Sequence, residues 1–139
     1  MLTCQVAPRA KQAVSFLGHV DNTGLFYAAS DLFVLPSRHE PFGLVFLEAA
    51  QYALACIGTS VGGIPEIVVD GETGFLVPPE RPDELAARIV WLSRDEGLRQ
   101  DLGKAARRRV QTNFTLDGMV GAYARLFQRT LSSHGSVRQ

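Results

Sequence analysis

Short apolar runs alternating with helix-like segments constrain this chain more than any other feature. Ala13–Leu17, Asp31–Leu35, Ala55–Gly58 and Phe75–Val77 are each four or so residues long and nearly all apolar. Gly18, Pro36 and Pro78-Pro79 stop three of them. A strand that is apolar on both faces is a strand covered on both faces. Between the runs lie segments with helical spacing. Asp21–Ser30 puts Leu25, Phe26 and Ala29 on one face, with Asp21 or Asn22 as its cap. Gly43–Leu54 is a second helix, and Ser60–Glu66 is a Gly-rich turn entering a short helical piece. Strands separated by helices imply a parallel sheet with right-handed crossovers.

The last third reads as helical. Pro82 suits a first helical turn, and Asp83 and Glu84 favour the positive end of that helix. Leu85, Ile89 and Leu92 form its stripe. Asp95 caps the next helix, which runs towards Asn113 and carries Arg99, Lys104 and the Arg107-Arg108-Arg109 run, read as a solvated face. Thr115 caps a final helix with Val120, Tyr123, Leu126 and Phe127 on its apolar side, either core or a docking face. Residues 132–139 read as a frayed polar tail, and Met1–Gln12 carries little pattern. The fold class expected is α/β: a Rossmann-like parallel sheet with helices on both faces and a helical C-terminal third.

A length of 139 residues suits one domain, 1–139, with one sizeable core. Fourteen basic residues balance fourteen acidic ones, which argues against a nucleic-acid binder. The two cysteines, Cys4 and Cys56, fit a reduced, cytoplasmic protein better than a disulfide or metal site. No apolar run is long enough to span a bilayer, and no secretory signal is visible. Asn113-Phe114-Thr115 matches the glycosylation tripeptide by chance on this reading.

In open parallel sheets, ligands bind outside the carboxyl ends of the strands. That points to Pro36–Gly43, Thr59–Ile64 and Pro78–Arg81. Pro41 and Gly43 disfavour helix before Leu44, so Glu40 belongs to a loop and Glu48 to the following helix. Glu48 is the single charged residue between Glu40 and Glu66. A carboxylate in so apolar a stretch needs a partner. The amides of Phe42, Gly43 and Leu44 are donors at a positive helix end, and Gly43 lets a ligand approach. An anion there would bring an attached ribose near Glu48, whose carboxylate can accept from two vicinal hydroxyls.

Glu40-Pro-Phe-Gly-Leu-Val-Phe-Leu-Glu48 resembles the E-x7-E motif of the family 4 retaining glycosyltransferases of the two-Rossmann (GT-B) type. Phe16-Leu-Gly-His-Val20 resembles their FLGxV strand end, and Tyr27–Ser37 their YAxADxFVLPS segment. Val61–Glu66 is similar to VGGxPE and Asp70–Val77 to DGxTGFLV. The order of the motifs is that of the family, from about Ala13 to the last helix.

The resemblance implies the C-terminal, donor-binding half of such an enzyme. Glu40 is then the catalytic-site carboxylate beside the donor sugar and diphosphate. Phe42, Gly43 and Leu44 hold phosphates or sugar hydroxyls, Glu48 binds the ribose, and Gly62 and Gly63 shape the loop facing the cleft. The implied ligand is a nucleoside-diphosphate sugar, with no metal and no other cofactor. The family's diphosphate-binding Arg and Lys fall before the matched region, and Arg9 and Lys11 do not correspond to them. The acceptor-binding half also lies outside the match. Ala53 and Ala55 stand where the family usually has Gly and Pro.

The expected function is donor binding for sugar transfer with retention of configuration, with little activity in the chain alone. A separate N-terminal acceptor-binding domain or self-association would be its protein partner. The competing reading is a non-enzymatic nucleotide-binding or docking module. Gly62-Gly63 is equally a tight turn, and Glu48 could instead pair with Gln51 or a backbone group. His39, beside Glu40, is read as a surface residue, and His19 as structural or cleft-lining. Membrane contact has little in the sequence to favour it.

Overall fold

The computed structural model describes residues 13–135. Met1–Gln12, with Cys4, Arg9 and Lys11, and residues 136–139 lie outside the described residues. The elements run α1 (Gly24–Ala29), β1 (Leu32–Leu35), α2 (Leu44–Gln51), β2 (Ala55–Thr59), α3 (Ile64–Ile67), β3 (Gly74–Val77), α4 (Pro82–Arg94), α5 (Glu96–Asn113) and α6 (Leu116–Gly135). The strands form a parallel sheet in the order β1-β2-β3. Every residue of the central strand β2 is buried.

The alternation of side chains along β2 divides the core. Cys56 faces Phe46, Ala49, Leu54, Ile64 and Ile67, beneath α2 and α3. Ala55 and Ile57 face Phe75, Leu92 and Leu102, beneath α4 and α5. The Phe46 ring fits because position 58 is glycine: a Cβ there would stand 2.7 Å from Phe46 Cζ. Phe46, Ile57, Ile64 and Leu92 are fully buried, each side chain contributing about 1.5–3 kcal/mol.

The helix starts expected at Pro82, Asp95 and Thr115 are present, whereas α1 begins at Gly24 with Thr23 as its N-cap and no side-chain cap bond, not with Asp21 or Asn22. Pro82 opens α4 with Asp83 and Glu84 in its first turn. Asp95 accepts from the Leu98 amide at 2.9 Å and Thr115 from the Gly118 amide at 3.1 Å.

Several expectations need correction. Ala13–Leu17 forms no strand; Phe16 is 71% exposed. Among the described residues β1 pairs only with β2, and this run does not add to its other edge. Leu25 and Phe26 on α1 are likewise exposed. Helix α6 continues to Gly135, past the expected start of a frayed tail. Its apolar side is not core: Val120, Tyr123, Leu126 and Phe127 are all exposed. Arg109 does not belong to a solvated face. Its Nε donates to Ile67 O at 3.0 Å and its Nη2 to Glu66 O at 2.8 Å, satisfying carbonyls at the end of α3.

Ala53 occupies the left-handed region, at φ 56°. It closes the α2–β2 connection, where α5 approaches so closely that a Cβ on Gly103 would lie 1.8 Å from Ala53 O.

Candidate functional site

The loops leaving β1 and β2 are joined backbone to backbone. Buried Thr59, the last residue of β2, donates its hydroxyl to Ser37 O at 2.6 Å. The Gly63 amide donates to Glu40 O at 3.3 Å. A Cβ on Gly62, which has φ 53°, would stand 1.7 Å from Glu40 O. A Cβ on Gly63 would stand 2.7 Å from Phe42 Cα. The two glycines are therefore required by the approach of the Glu40 loop, whatever else they do.

Gly43 starts α2 in the left-handed region at φ 96° and accepts from the Phe46 amide at 2.9 Å. The Glu40 side chain folds back towards this start: its Cγ lies 3.6 Å from where a Gly43 Cβ would be. Glu40, Phe42, Gly43, Leu44, Gly62 and Gly63 thus come together at the carboxyl end of the sheet. Phe42 is braced by Phe114, ring centroids 6.2 Å apart, and Arg109 lies 5.8 Å from the Phe114 centroid. Arg109 therefore supports this corner from both α3 and Phe42.

Glu48 stands apart from that cluster, four residues beyond Leu44 on α2 and exposed, about 6 Å along the axis. Its hydrogen-bond partner among the described residues is a side chain, neither Gln51 nor a backbone group. Tyr27 Oη donates to Glu48 Oε2 at 3.1 Å. The Tyr27 ring packs on Phe33 and Tyr52 at 5.8 and 5.7 Å. Burial, and then the hydrogen bond and charge of Glu48, push the phenol up to about 12. Thr59, Arg109 and Tyr27 were not singled out from sequence, because each acts on a residue more than twenty positions away.

The loop after β3 forms a separate recess. A cleft of about 540 Å³ lies among Pro36, Arg38, Thr59, Val77, Glu80 and Arg81. Arg38 Nε reaches Glu80 Oε1 at 3.3 Å across it. A second cleft of about 580 Å³ lies alongside β1, among Leu17, His19, Tyr27, Leu32 and Phe33. His19 lines it and stands 3.3 Å from Asp21. His39 is exposed beside Glu40. Among the described residues, no three His, Cys, Asp or Glu side chains are grouped to hold a metal, and no helix is long and apolar enough to cross a membrane.

Buried Cys56 lies under this corner, and desolvation pushes its thiol up to about 12. For Cys56 and Tyr27 alike the folded state holds the proton more tightly than the unfolded chain. Their contributions are complete below the unfolded values, near 9 for Cys56 and 10 for Tyr27, and are lost as pH rises towards 12. Chemical denaturation from pH 8 to pH 11 is expected to show stability falling above about pH 9. Cys56→Ala should flatten the first part of that fall; an unchanged profile would contradict the assignment.

A family profile described as glycosyl transferases group 1 matches residues 7–109. The N-acetyl-alpha-D-glucosaminyl L-malate synthase of Bacillus anthracis is 40% identical over 118 residues, 85% of this chain and 31% of that protein. A sucrose-phosphate synthase structure from Thermosynechococcus elongatus superposes with a TM-score of 0.81 at 33% identity, covering 90% of this chain and 32% of that one. Anabaena HepE, solved in complex with UDP-glucose, superposes with a TM-score of 0.64 at 30% identity, covering 78% and 29%. The chain spans about a third of the length of the relatives it matches.

Proposed function

The chain belongs to the group 1 glycosyl transferases, and from that premise we propose that it is the donor-binding, C-terminal half of a retaining, family 4 type enzyme. The observation that carries this reading is the corner where the Gly62-Gly63 loop and the Glu40 loop share backbone contacts at the start of α2. The corner sets amides, a carboxylate and a helix N-terminus around one point. The amides of Phe42, Gly43 and Leu44 take the donor's phosphates or sugar hydroxyls, aided by the helix dipole. Glu40 sits beside the transferring sugar. Glu48, further along α2, takes the ribose diol. The HepE complex with UDP-glucose supports a nucleoside-diphosphate sugar as the ligand class.

In this role the chain orients the donor and stabilises the departing diphosphate, while the acceptor enters from a separate N-terminal half. The helix end offsets about half a charge, so further cations from that half would complete the diphosphate site. The chain alone is accordingly expected to bind donor and transfer little.

Titration calorimetry with uridine, guanosine and adenosine diphosphate sugars tests this. One class should bind, and Glu48→Ala should weaken it by about tenfold or more, the scale of a lost charged hydrogen bond. No binding to any donor would favour the second reading, a docking module without catalysis. The exposed face of α6, with Tyr123 and Phe127 in ring contact, is the observation on its side.

A further inference from the structure

We propose that Tyr27 is a positioning residue for the donor: its hydroxyl fixes Glu48 in the orientation that receives the ribose diol. The inference rests on the donor-site reading and adds a residue to it. Glu48 is exposed on α2, and a free glutamate there would sample many rotamers and lose that freedom on binding ligand. The Tyr27 hydroxyl removes part of this cost by donating to Oε2 at 3.1 Å. That bond leaves Oε1, and the second lone pair of Oε2, to accept from two neighbouring hydroxyls.

The donor is itself held rigidly. Tyr27 lies between Phe33 and Tyr52, with Phe33 edge-on. The end of Tyr52 lies close over Gly24, where a Cβ would stand 2.5 Å from its Oη. The support therefore runs from Tyr52 through Tyr27 to Glu48. Raised to about 12, the phenol keeps its proton at neutral pH and remains a fixed donor, not an acid or base.

The test compares ribose and dideoxyribose nucleotides. Wild type, Tyr27→Phe and Glu48→Gln are titrated with UDP, GDP and ADP and with the 2′,3′-dideoxy form of whichever binds. Tyr27→Phe keeps the ring packing, and circular dichroism verifies the fold. Wild type should prefer the ribose form. Glu48→Gln should reduce that preference by about tenfold, and Tyr27→Phe should reduce it by about threefold, without changing affinity for the dideoxy form. A structural role alone would change both affinities together, which overturns the inference. Preference reduced in Glu48→Gln but intact in Tyr27→Phe overturns it while leaving the donor-site reading in place. No binding by any of the three nucleotides overturns both.

Discussion

Gly62→Ala is expected to destroy the candidate donor site. The new Cβ would lie 1.7 Å from the Glu40 carbonyl, and the residue would be held at φ 53°. Left-handed backbone costs an ordinary residue about 1–2 kcal/mol, and overpacking about 1–3 kcal/mol more. Neither contact atom is a flexible side-chain end, so one loop must move. The 3.3 Å bond from the Gly63 amide to Glu40 O is then lost, and with it the register between Glu40 and the start of α2. A loss of about 3 kcal/mol in denaturant unfolding is expected, together with nucleotide binding below detection by calorimetry. Thr59, which holds Ser37 from the same side, should keep the rest of the sheet folded. Wild-type binding by Gly62→Ala would mean that the two loops are not coupled.

Gly103→Ala and Ala53→Gly are expected to move stability in opposite directions. A Cβ at position 103 would lie 1.8 Å from Ala53 O and 3.2 Å from Ala55 N. Helix α5 would have to lift from the α2–β2 connection, opening the layer where Ala106 and Val110 pack on Ala50. The loss should reach about 3 kcal/mol or more, against a total stability of about 5–15 kcal/mol for a domain. Ala53→Gly relieves the φ of 56°. Net of the added freedom of the unfolded chain, it should gain about 1 kcal/mol. Urea denaturation of the two variants reads both signs. Because the clash is with a carbonyl, Ala53→Gly should not rescue Gly103→Ala.

Most signals that act locally are legible in the sequence, the start of α1 at Thr23 and not at Asp21 or Asn22 being the exception. Pro36 and Pro78 stop strands, Pro82 opens a helix, and Asp95 and Thr115 cap helices through bonds to amides three residues on. The apolar runs at β2 and β3 are legible because burial on two faces leaves an uninterrupted pattern, and β1 carries the same pattern although it is only half-buried. The same pattern misled at Ala13–Leu17, since apolarity says a run wants cover but not whether a neighbouring strand supplies it. The motif resemblance singles out Glu40 and Glu48 but not what holds them. Tyr27 reaches Glu48 across 21 residues and Arg109 reaches Ile67 across 42, and no short-range spacing encodes such pairs. Ala53 stands where the resembled family usually has Gly, and nothing else in the sequence marks its left-handed backbone, because alanine favours helix.

The parallel order β1-β2-β3 also bears on how costly the fold is to close. Leu32 pairs with Ala55 and Cys56 with Gly74, partners 23 and 18 residues apart by subtraction of their numbers. Neither pairing can zip from a hairpin, so each must wait for a crossover to close and bear that entropy first. Gly62 and Gly63 lie between β2 and β3, and the Glu40 loop between β1 and β2. The corner they share joins positions about twenty residues apart, so its formation bears the same crossover-closure entropy as the pairing of β1 with β2.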